Sequence, residues 1–224
     1  MSGVGRGRLI ALEGIDGCGK STQARMLAGR LAADPDAAVG AGALLTFEPG
    51  ATGLGASIRS LLLDPGRPDV GTRAEALLMA ADRAQHITEV IEPALARGTW
   101  VVTDRFSAST LAYQGYGRRL DLAELDDLTT WATGGLVPDL TVLIEVPAAV
   151  AAARRVQRED IDRFEAQGDG FQQRVADGYR RLASEATTPW VVVDGTASID
   201  AVAASVWAGL APLLETGDLV EEGR

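Results

Sequence analysis

Lysine, cysteine and histidine are almost missing from this sequence, whose 224 residues include one of each: Lys20, Cys18 and His86. A single cysteine excludes an internal disulfide and a multi-cysteine metal site, and it fits the reducing cytosol, so we expect a cytoplasmic location. Positive charge is also scarce, and the formal net charge of −10 argues against nucleic acid or an anionic membrane surface as partner. No apolar run approaches the roughly 18 residues of a membrane span.

Short apolar runs are present, and they alternate with stretches of helical periodicity. They predict strands at 9–12, 43–47, 99–104, 140–146 and 190–195. The periodic stretches predict helices at 21–31, 54–63, 72–97, 122–131, 148–156, 171–186 and 199–214, with Pro93 kinking or shortening the longest. This alternation predicts an α/β fold, a five-stranded parallel sheet with helices on both faces. We expect one domain over residues 1–216 and a frayed tail at 217–224.

A glycine-rich segment links the first predicted strand to the first predicted helix. Residues 14–21 read GIDGCGKS and satisfy the phosphate-loop pattern G-x-x-x-x-G-K-[ST]. Backbone N–H groups would converge on phosphate oxygens, Lys20 would reach the terminal phosphates, and the Ser21 hydroxyl would ligate Mg²⁺. The alternative is an ordinary glycine-rich turn. The predicted ATP-binding residues are Gly14, Ile15, Asp16, Gly17, Cys18, Gly19, Lys20, Ser21 and Thr22.

The position of the one lysine supports this interpretation. Every other cationic side chain is arginine, whose planar fork cannot replace a compact ammonium in a tight backbone cradle. A chance placement of the lysine is the alternative. With no second lysine, the chain also lacks the N-K-x-D motif of guanine recognition, which counts against an ordinary GTPase.

Carboxylates and arginines follow the other predicted strands. Asp104, at the end of a strand, is placed like a Mg²⁺-organising aspartate, although it could instead cap a helix. Arg105 could bind phosphate or form a surface salt bridge, and Arg59 and Arg83 offer further phosphate donors. The arginine-rich segment at about 153–170 predicts a lid over the phosphates, or alternatively a salt-bridged helical surface.

Five segments in this order resemble the bacterial thymidylate kinase family, between about residue 9 and about residue 214. They are EGIDGCGKST, EPGATGLGASIRSLLLD, AEALLMAADRAQHITEVIEPALARGTWVVTDRF, SASTLAYQGYGR and the stretch from Arg158 to Glu165. The resemblance implies a nucleotide kinase of the phosphate-loop fold that uses ATP and Mg²⁺ to convert dTMP into dTDP. It also implies a homodimer, packed through helices that include 72–97.

The resemblance assigns roles to residues that match the family's motifs. The implied catalytic residues are Lys20, Asp104, Arg105 and Arg158, with Ser21 and Asp104 at the metal. The implied dTMP-binding residues are Asp16, Glu48, Arg59, Met79, Arg83, Arg105, Thr110, Tyr113 and Gln114. Gly17 together with Arg158 resembles the arrangement in which the lid, and not the phosphate loop, supplies the catalytic arginine.

Three residues depart from the family pattern and keep other functions open. Phe47 stands where an arginine is usual, Ala51 replaces a glycine, and Met79 replaces a phenylalanine that stacks on thymine. A polarizable methionine can still cover a ring, or it can simply pack in the core. The alternatives are another nucleoside or nucleotide kinase of this fold, a phosphate-loop ATPase or switch, and a non-catalytic nucleotide-binding protein.

Overall fold

The structure is a computed structural model that describes residues 5–33, 42–64, 66, 69–156 and 168–215. Most of the predicted lid, including Arg158, and the predicted tail at 217–224 lie outside the described residues.

Five parallel strands form one sheet. They are β1 (Leu9–Glu13), β2 (Ala43–Phe47), β3 (Trp100–Asp104), β4 (Leu140–Glu145) and β5 (Trp190–Asp194), in the spatial order β2-β3-β1-β4-β5. The central strand β1 pairs with β3 and β4, so that Leu12 lies beside Asp104 on one side and Val142 on the other. The predicted fold class is therefore confirmed, with strand boundaries that differ by one residue.

Ten α-helical segments and two π-helical turns surround the sheet in the described part of the chain. The segments are α1 (Lys20–Ala33), α2 (Gly53–Leu63), α3 (Thr72–His86), α4 (Glu92–Ala96), α5 (Ser107–Thr110), α6 (Leu122–Thr133), α7 (Ala148–Val156), α8 (Asp169–Glu185), α9 (Ile199–Gly209) and α10 (Ala211–Glu215). Side-chain caps begin three of them: Thr52 accepts from the Gly55 amide, Asp121 from the Ala123 and Glu124 amides, and Ser198 from the Ala201 amide.

Three helical regions differ from the prediction. The expected helix at 72–97 contains a π-helical turn, Ile87–Ile91, just before Pro93, which has no N–H to continue an α-helical ladder. The expected helix at 199–214 breaks near Leu210, two residues before Pro212, for the same reason. A helix over 107–117 was not expected, because five of these eleven residues are serine, threonine or glycine, which are weak helix formers.

Strand β1 explains how the two faces of the sheet are covered. Its side chains alternate, so Ile10 and Leu12 join the larger core cluster, whereas Leu9 and Ala11 join the smaller one. Each of these four side chains is buried, which accounts for the continuous apolar sequence of the strand. Because β1, β2 and β3 are parallel, their carboxyl ends lie together at one edge of the sheet, where ligands of such folds bind. In the described ranges no helix is long and apolar enough to cross a membrane.

Candidate active site

The phosphate loop runs from the end of β1 to the start of α1. Gly14, Gly17 and Gly19 all have positive φ angles, of 142°, 88° and 100°. A Cβ atom on Gly17 would lie 2.5 Å from the carbonyl oxygen of Ala151 in α7, so the loop needs glycine there for space as well as for conformation. Helix α1 begins at Lys20, so its first free N–H groups face the loop. The glycine-rich segment therefore has the backbone that anion binding requires.

Asp16 holds the loop to two cationic side chains. Its Oδ1 accepts from Arg105 Nη2 at 2.5 Å and from Lys20 Nζ at 3.3 Å, and its Oδ2 accepts from the Tyr113 hydroxyl at 2.6 Å. Burial alone would raise the pKa of Asp16, but the charges of Arg105 and Lys20 outweigh it and the pKa falls below its usual range. Burial would likewise lower the pKa of Arg105, and Asp16 raises it instead. Both groups are therefore charged at neutral pH.

Arg105 combines burial with an unusual backbone. Its φ angle is +76°, in the left-handed region that residues other than glycine seldom adopt. The Nη1 atom donates to the Gly14 carbonyl, to Ser109 and to Tyr179 at 3.0–3.2 Å. Its side chain is 14% exposed, so the alternative of a surface salt bridge is wrong. The backbone strain is held in place by contacts with three separate elements.

Ser21 and Asp104 meet across the ends of α1 and β3. The Ser21 hydroxyl donates to Asp104 Oδ2. Asp104 Oδ1 is buried and has no hydrogen-bond partner among the described residues. A buried carboxylate oxygen without a donor fits a cation, and a hydroxyl beside a carboxylate is a donor set that suits Mg²⁺. The described residues contain no group of three or more His, Cys, Asp or Glu that could hold a metal, so phosphate oxygens and water would have to complete the shell.

One cavity, which we call the Met79 cavity, collects the predicted acceptor residues. All nine residues predicted for dTMP line it: Asp16, Glu48, Arg59, Met79, Arg83, Arg105, Thr110, Tyr113 and Gln114. Met79 is half-buried: it lines the cavity and it also packs against the core, the two positions that the sequence left open for it.

The floor of the Met79 cavity is a buried ion pair. Arg83 Nε donates to Glu48 Oε2 at 2.8 Å, and both side chains are 3% exposed. Arg83 also donates to the Thr110 hydroxyl and to the Phe106 carbonyl, and His86 Nδ1 lies 3.0 Å from Glu48 Oε1. Each of the three nitrogens of Arg83 therefore donates a hydrogen bond to another residue of the protein. Arg59, by contrast, makes one contact to the Pro49 carbonyl at 2.8 Å and lies at the cavity wall.

A second cavity, which we call the Lys20 cavity, adjoins the first. It is lined by Gly17, Gly19, Lys20, Ser21, Thr22 and Asp104, and it shares the wall formed by Asp16, Glu48, Arg59 and Arg105 with the Met79 cavity. Its lining is largely polar. Three residues predicted for ATP do not line it: Gly14, Ile15 and Cys18, of which Ile15 and Cys18 are buried in the core. Phe47, 45% exposed, stands at its edge.

A carboxylate behind the site had no predicted role. Glu13 is fully buried and accepts from the Phe106 and Ser109 amides, from the Ser109 hydroxyl and from the Tyr179 hydroxyl. Burial raises the pKa of Glu13, against the opposing effect of the Ser109 hydrogen bond. The signal in the sequence was an acidic residue at the end of an otherwise apolar strand. Burying a carboxylate there costs free energy unless its oxygens accept hydrogen bonds or pair with a cation.

Two arginines of α7 were part of the predicted lid but had no individual role. Arg155 donates to the Asp16 carbonyl at 2.8 Å, and Arg154 donates to the carbonyls of Cys18 and Gly195. These bonds attach α7 to the back of the phosphate loop and to the turn after β5. The spacing of charges in the sequence indicated the segment but not these backbone partners.

The comparisons with known proteins agree with this geometry. The family model described as thymidylate kinase matches residues 12–206, which is most of the chain. The chain belongs to the thymidylate kinase family. The predicted resemblance is thereby confirmed, and with it the class of enzyme, a phosphotransferase of the nucleoside monophosphate kinase type.

Several curated thymidylate kinases are similar to this chain over most of their length. That of Synechococcus sp. (strain WH7803) is 53% identical over 186 residues, 80% of this chain and 84% of that protein. That of Prochlorococcus marinus (strain MIT 9313) is 49% identical over 201 residues, 89% of this chain and 92% of that protein. That of Cupriavidus metallidurans is 47% identical over 197 residues, 88% and 94% of the two chains. Family membership therefore rests on the whole domain and not on the phosphate loop alone.

Proposed function

We propose that this protein transfers the γ-phosphoryl group of ATP to dTMP, giving ADP and dTDP. The observation that carries the proposal is the pair of adjoining cavities, one lined by the phosphate loop and one by the nine acceptor residues, with Arg105 and Arg59 in the wall between them. Two nucleotide anions side by side need cations at that wall, because their mutual repulsion opposes the reaction.

The donor phosphates belong in the Lys20 cavity. Loop amides and Lys20 hold the phosphate oxygens, and the Lys20 ammonium exchanges part of its contact with Asp16 for the nucleotide. Ser21 and Asp104 would hold Mg²⁺, which when bound neutralises charge on the ATP phosphates. The buried Asp104 oxygen without a partner among the described residues supports this role.

The acceptor belongs in the Met79 cavity. Arg105 and Arg59 orient its phosphate, because both reach the wall shared with the donor cavity. Arg83, with Glu48 beneath it, contributes a fixed positive charge, and Met79 with Thr110 and Gln114 surrounds the base. A phosphate monoester is already largely ionised near neutral pH (its second pKa is about 6), so no strong general base is needed.

Transfer would be an in-line displacement without a covalent enzyme intermediate. The acceptor phosphate oxygen attacks the γ-phosphorus while the bond to the bridging oxygen of ADP breaks. Arg105 remains paired with Asp16 and stays fixed during this step. Arg158, outside the described residues, is proposed to add a guanidinium to the transferring group. Arg158→Ala should then reduce kcat by about 10³-fold or more in a coupled ADP-release assay, with a modest change in the KM for dTMP.

A nucleotide panel tests the proposal most directly. With ATP as donor, dTMP should be phosphorylated well ahead of dCMP, AMP and dGMP. Equal use of all four would contradict dTMP as the specific acceptor. It would favour another nucleotide kinase of this fold, the alternative that Met79 in place of the family's phenylalanine left open. ATP turnover with no acceptor present would favour an ATPase, and no turnover at all a non-catalytic binding protein.

The proposal includes a homodimer in the cytoplasm. Leu77 on α3 is 58% exposed and Trp131 on α6 is 82% exposed, and apolar side chains of this size favour burial against a second copy. Light scattering of the purified chain should give twice the monomer mass.

A further inference from the structure

Glu75 and Arg118 form a charge pair next to the Met79 cavity, and neither of them lines it. Glu75, on α3, is 2% exposed. Its Oε2 accepts from Arg118 Nη2 at 2.9 Å and its Oε1 from Arg118 Nε at 3.1 Å, a two-point contact that fixes the carboxylate plane. Arg118 is itself placed over the Phe171 ring, with its guanidinium carbon 4.9 Å from the ring centroid.

Gln114 connects this pair to the cavity. Its Nε2 donates to Glu75 Oε1 at 3.0 Å, and its side chain lines the cavity. The orientation of an amide is often ambiguous, but a carboxylate paired with a guanidinium only accepts hydrogen bonds. If the Gln114 amide oxygen faced Glu75 instead, its lone pairs would repel those of the carboxylate. Glu75 therefore requires the Gln114 nitrogen to face it, which leaves the amide oxygen as the group for a ligand.

An acceptor at that position distinguishes two classes of pyrimidine. A thymine or uracil ring carries an N–H donor at ring position 3, whereas cytosine carries a lone pair there. We propose that Glu75, held by Arg118, is a positioning residue that sets the base preference of the site. It fixes Gln114 as a hydrogen-bond acceptor and so favours a base with an imide N–H. This inference rests on the proposed function and deepens it, because it names the residue behind the choice of base.

Glu75→Gln is the decisive variant. Glutamine keeps the shape of the side chain but can donate as well as accept, so Gln114 is free to reverse its amide. The ratio of kcat/KM for dTMP to that for dCMP should fall by about tenfold or more, as expected for one mismatched buried hydrogen bond. The change should appear in the KM for dTMP, with kcat at saturation retained, because no group facing the phosphates has changed.

Glu75→Asp is the matched control. Aspartate also disturbs the packing around α3, and its carboxylate is one methylene farther from Gln114, but it still only accepts, so the dTMP-to-dCMP ratio should fall less than in Glu75→Gln. Thermal unfolding of both variants separates a change of preference from a loss of structure. If Glu75→Gln does not fold, the exchange variant Glu75→Gln/Gln114→Glu keeps the net charge of the cluster and places a side chain that can only accept toward the cavity. It should retain the preference for dTMP.

The outcomes separate this inference from the function on which it rests. A wild-type enzyme that uses dTMP and dCMP equally contradicts the proposed function. A selective wild type with a folded, equally selective Glu75→Gln contradicts only the role of Glu75. A collapse of selectivity in Glu75→Asp, or in the exchange variant, also overturns the inference, because both keep the acceptor chemistry.

Discussion

Removing Arg83 should destabilise the protein far more than removing an exposed arginine. Arg83→Met leaves the Glu48 carboxylate, in a side chain that is 3% exposed, hydrogen-bonded to His86 but without its guanidinium partner. It also takes a donor from the Phe106 carbonyl and from Thr110. Breaking a buried pair by removing one partner costs about 3–5 kcal/mol, because the other charge remains desolvated. That is a large part of the 5–15 kcal/mol that typically stabilises a folded domain.

Urea unfolding followed by circular dichroism, without nucleotide and near pH 7.5, measures this cost. The matched control is Arg180→Met, which removes the exposed ion pairs of Arg180 with Glu145 and Asp177; the three side chains are 43%, 38% and 54% exposed. Such surface pairs contribute about 0–1 kcal/mol. The double variant Arg83→Met/Glu48→Met should recover stability relative to Arg83→Met, since no buried charge is left unpaired. An Arg83→Met protein within about 1 kcal/mol of wild type would refute the reasoning.

Two further predictions concern Asp82 and Met79. Burial, helped by the charge of Glu48, raises the pKa of Asp82 to about 6. In the unfolded chain an aspartate titrates near 3.9, so the folded state binds this proton more tightly, and the contribution of Asp82 to stability declines as pH rises from about 4 to about 6. Asp82→Asn should therefore gain stability relative to wild type across that window in urea unfolding, and an unchanged difference would contradict it. Met79→Phe should lower the KM for dTMP by about two- to tenfold through ring stacking, and Met79→Ala should raise it; a KM unaffected by both would leave Met79 as a core residue.

The sequence was sufficient for the parts of the site that depend on local order. The phosphate loop follows from a strand, three glycines and a lysine that lie within a dozen residues of each other. Asp104 and Arg105 were placed correctly at the sheet edge because the carboxyl ends of parallel strands must lie together. The alternation of strands and helices gave the fold class on the same basis.

The helical segment at 107–117 could not be predicted, because tertiary packing and not helix propensity stabilises it. A Cβ atom on Gly117 would lie 2.7 Å from the Phe171 ring of α8, and one on Gly115 would lie 2.5 Å from Leu122 of α6. Glycine lowers intrinsic helix stability but allows these close approaches. A pattern that reads as a turn in the sequence is therefore a tightly packed helix in the fold.

The partners of Glu13 could not be predicted either, because they come from distant parts of the chain. Tyr179 is separated from Glu13 by 166 positions and meets it in a single hydrogen bond at 2.9 Å. No periodicity or motif spacing encodes such a contact. The predicted roles of Glu48 and Arg83 were similarly incomplete, because no pattern in the sequence indicates that the two residues pair with each other.

Arg105 combines a backbone conformation that favours glycine with contacts that only its own side chain can make. A left-handed conformation costs a residue with a side chain roughly 1–2 kcal/mol that glycine does not incur. Glycine at this position would relax the chain and at the same time delete the guanidinium that faces both cavities. It would also leave the Asp16 carboxylate without its arginine partner, and breaking such a pair costs about 3–5 kcal/mol, more than the relaxed backbone returns. Glycine is therefore expected to destabilise the fold, so libraries built on this scaffold should hold residue 105 constant while the rest of the chain is varied.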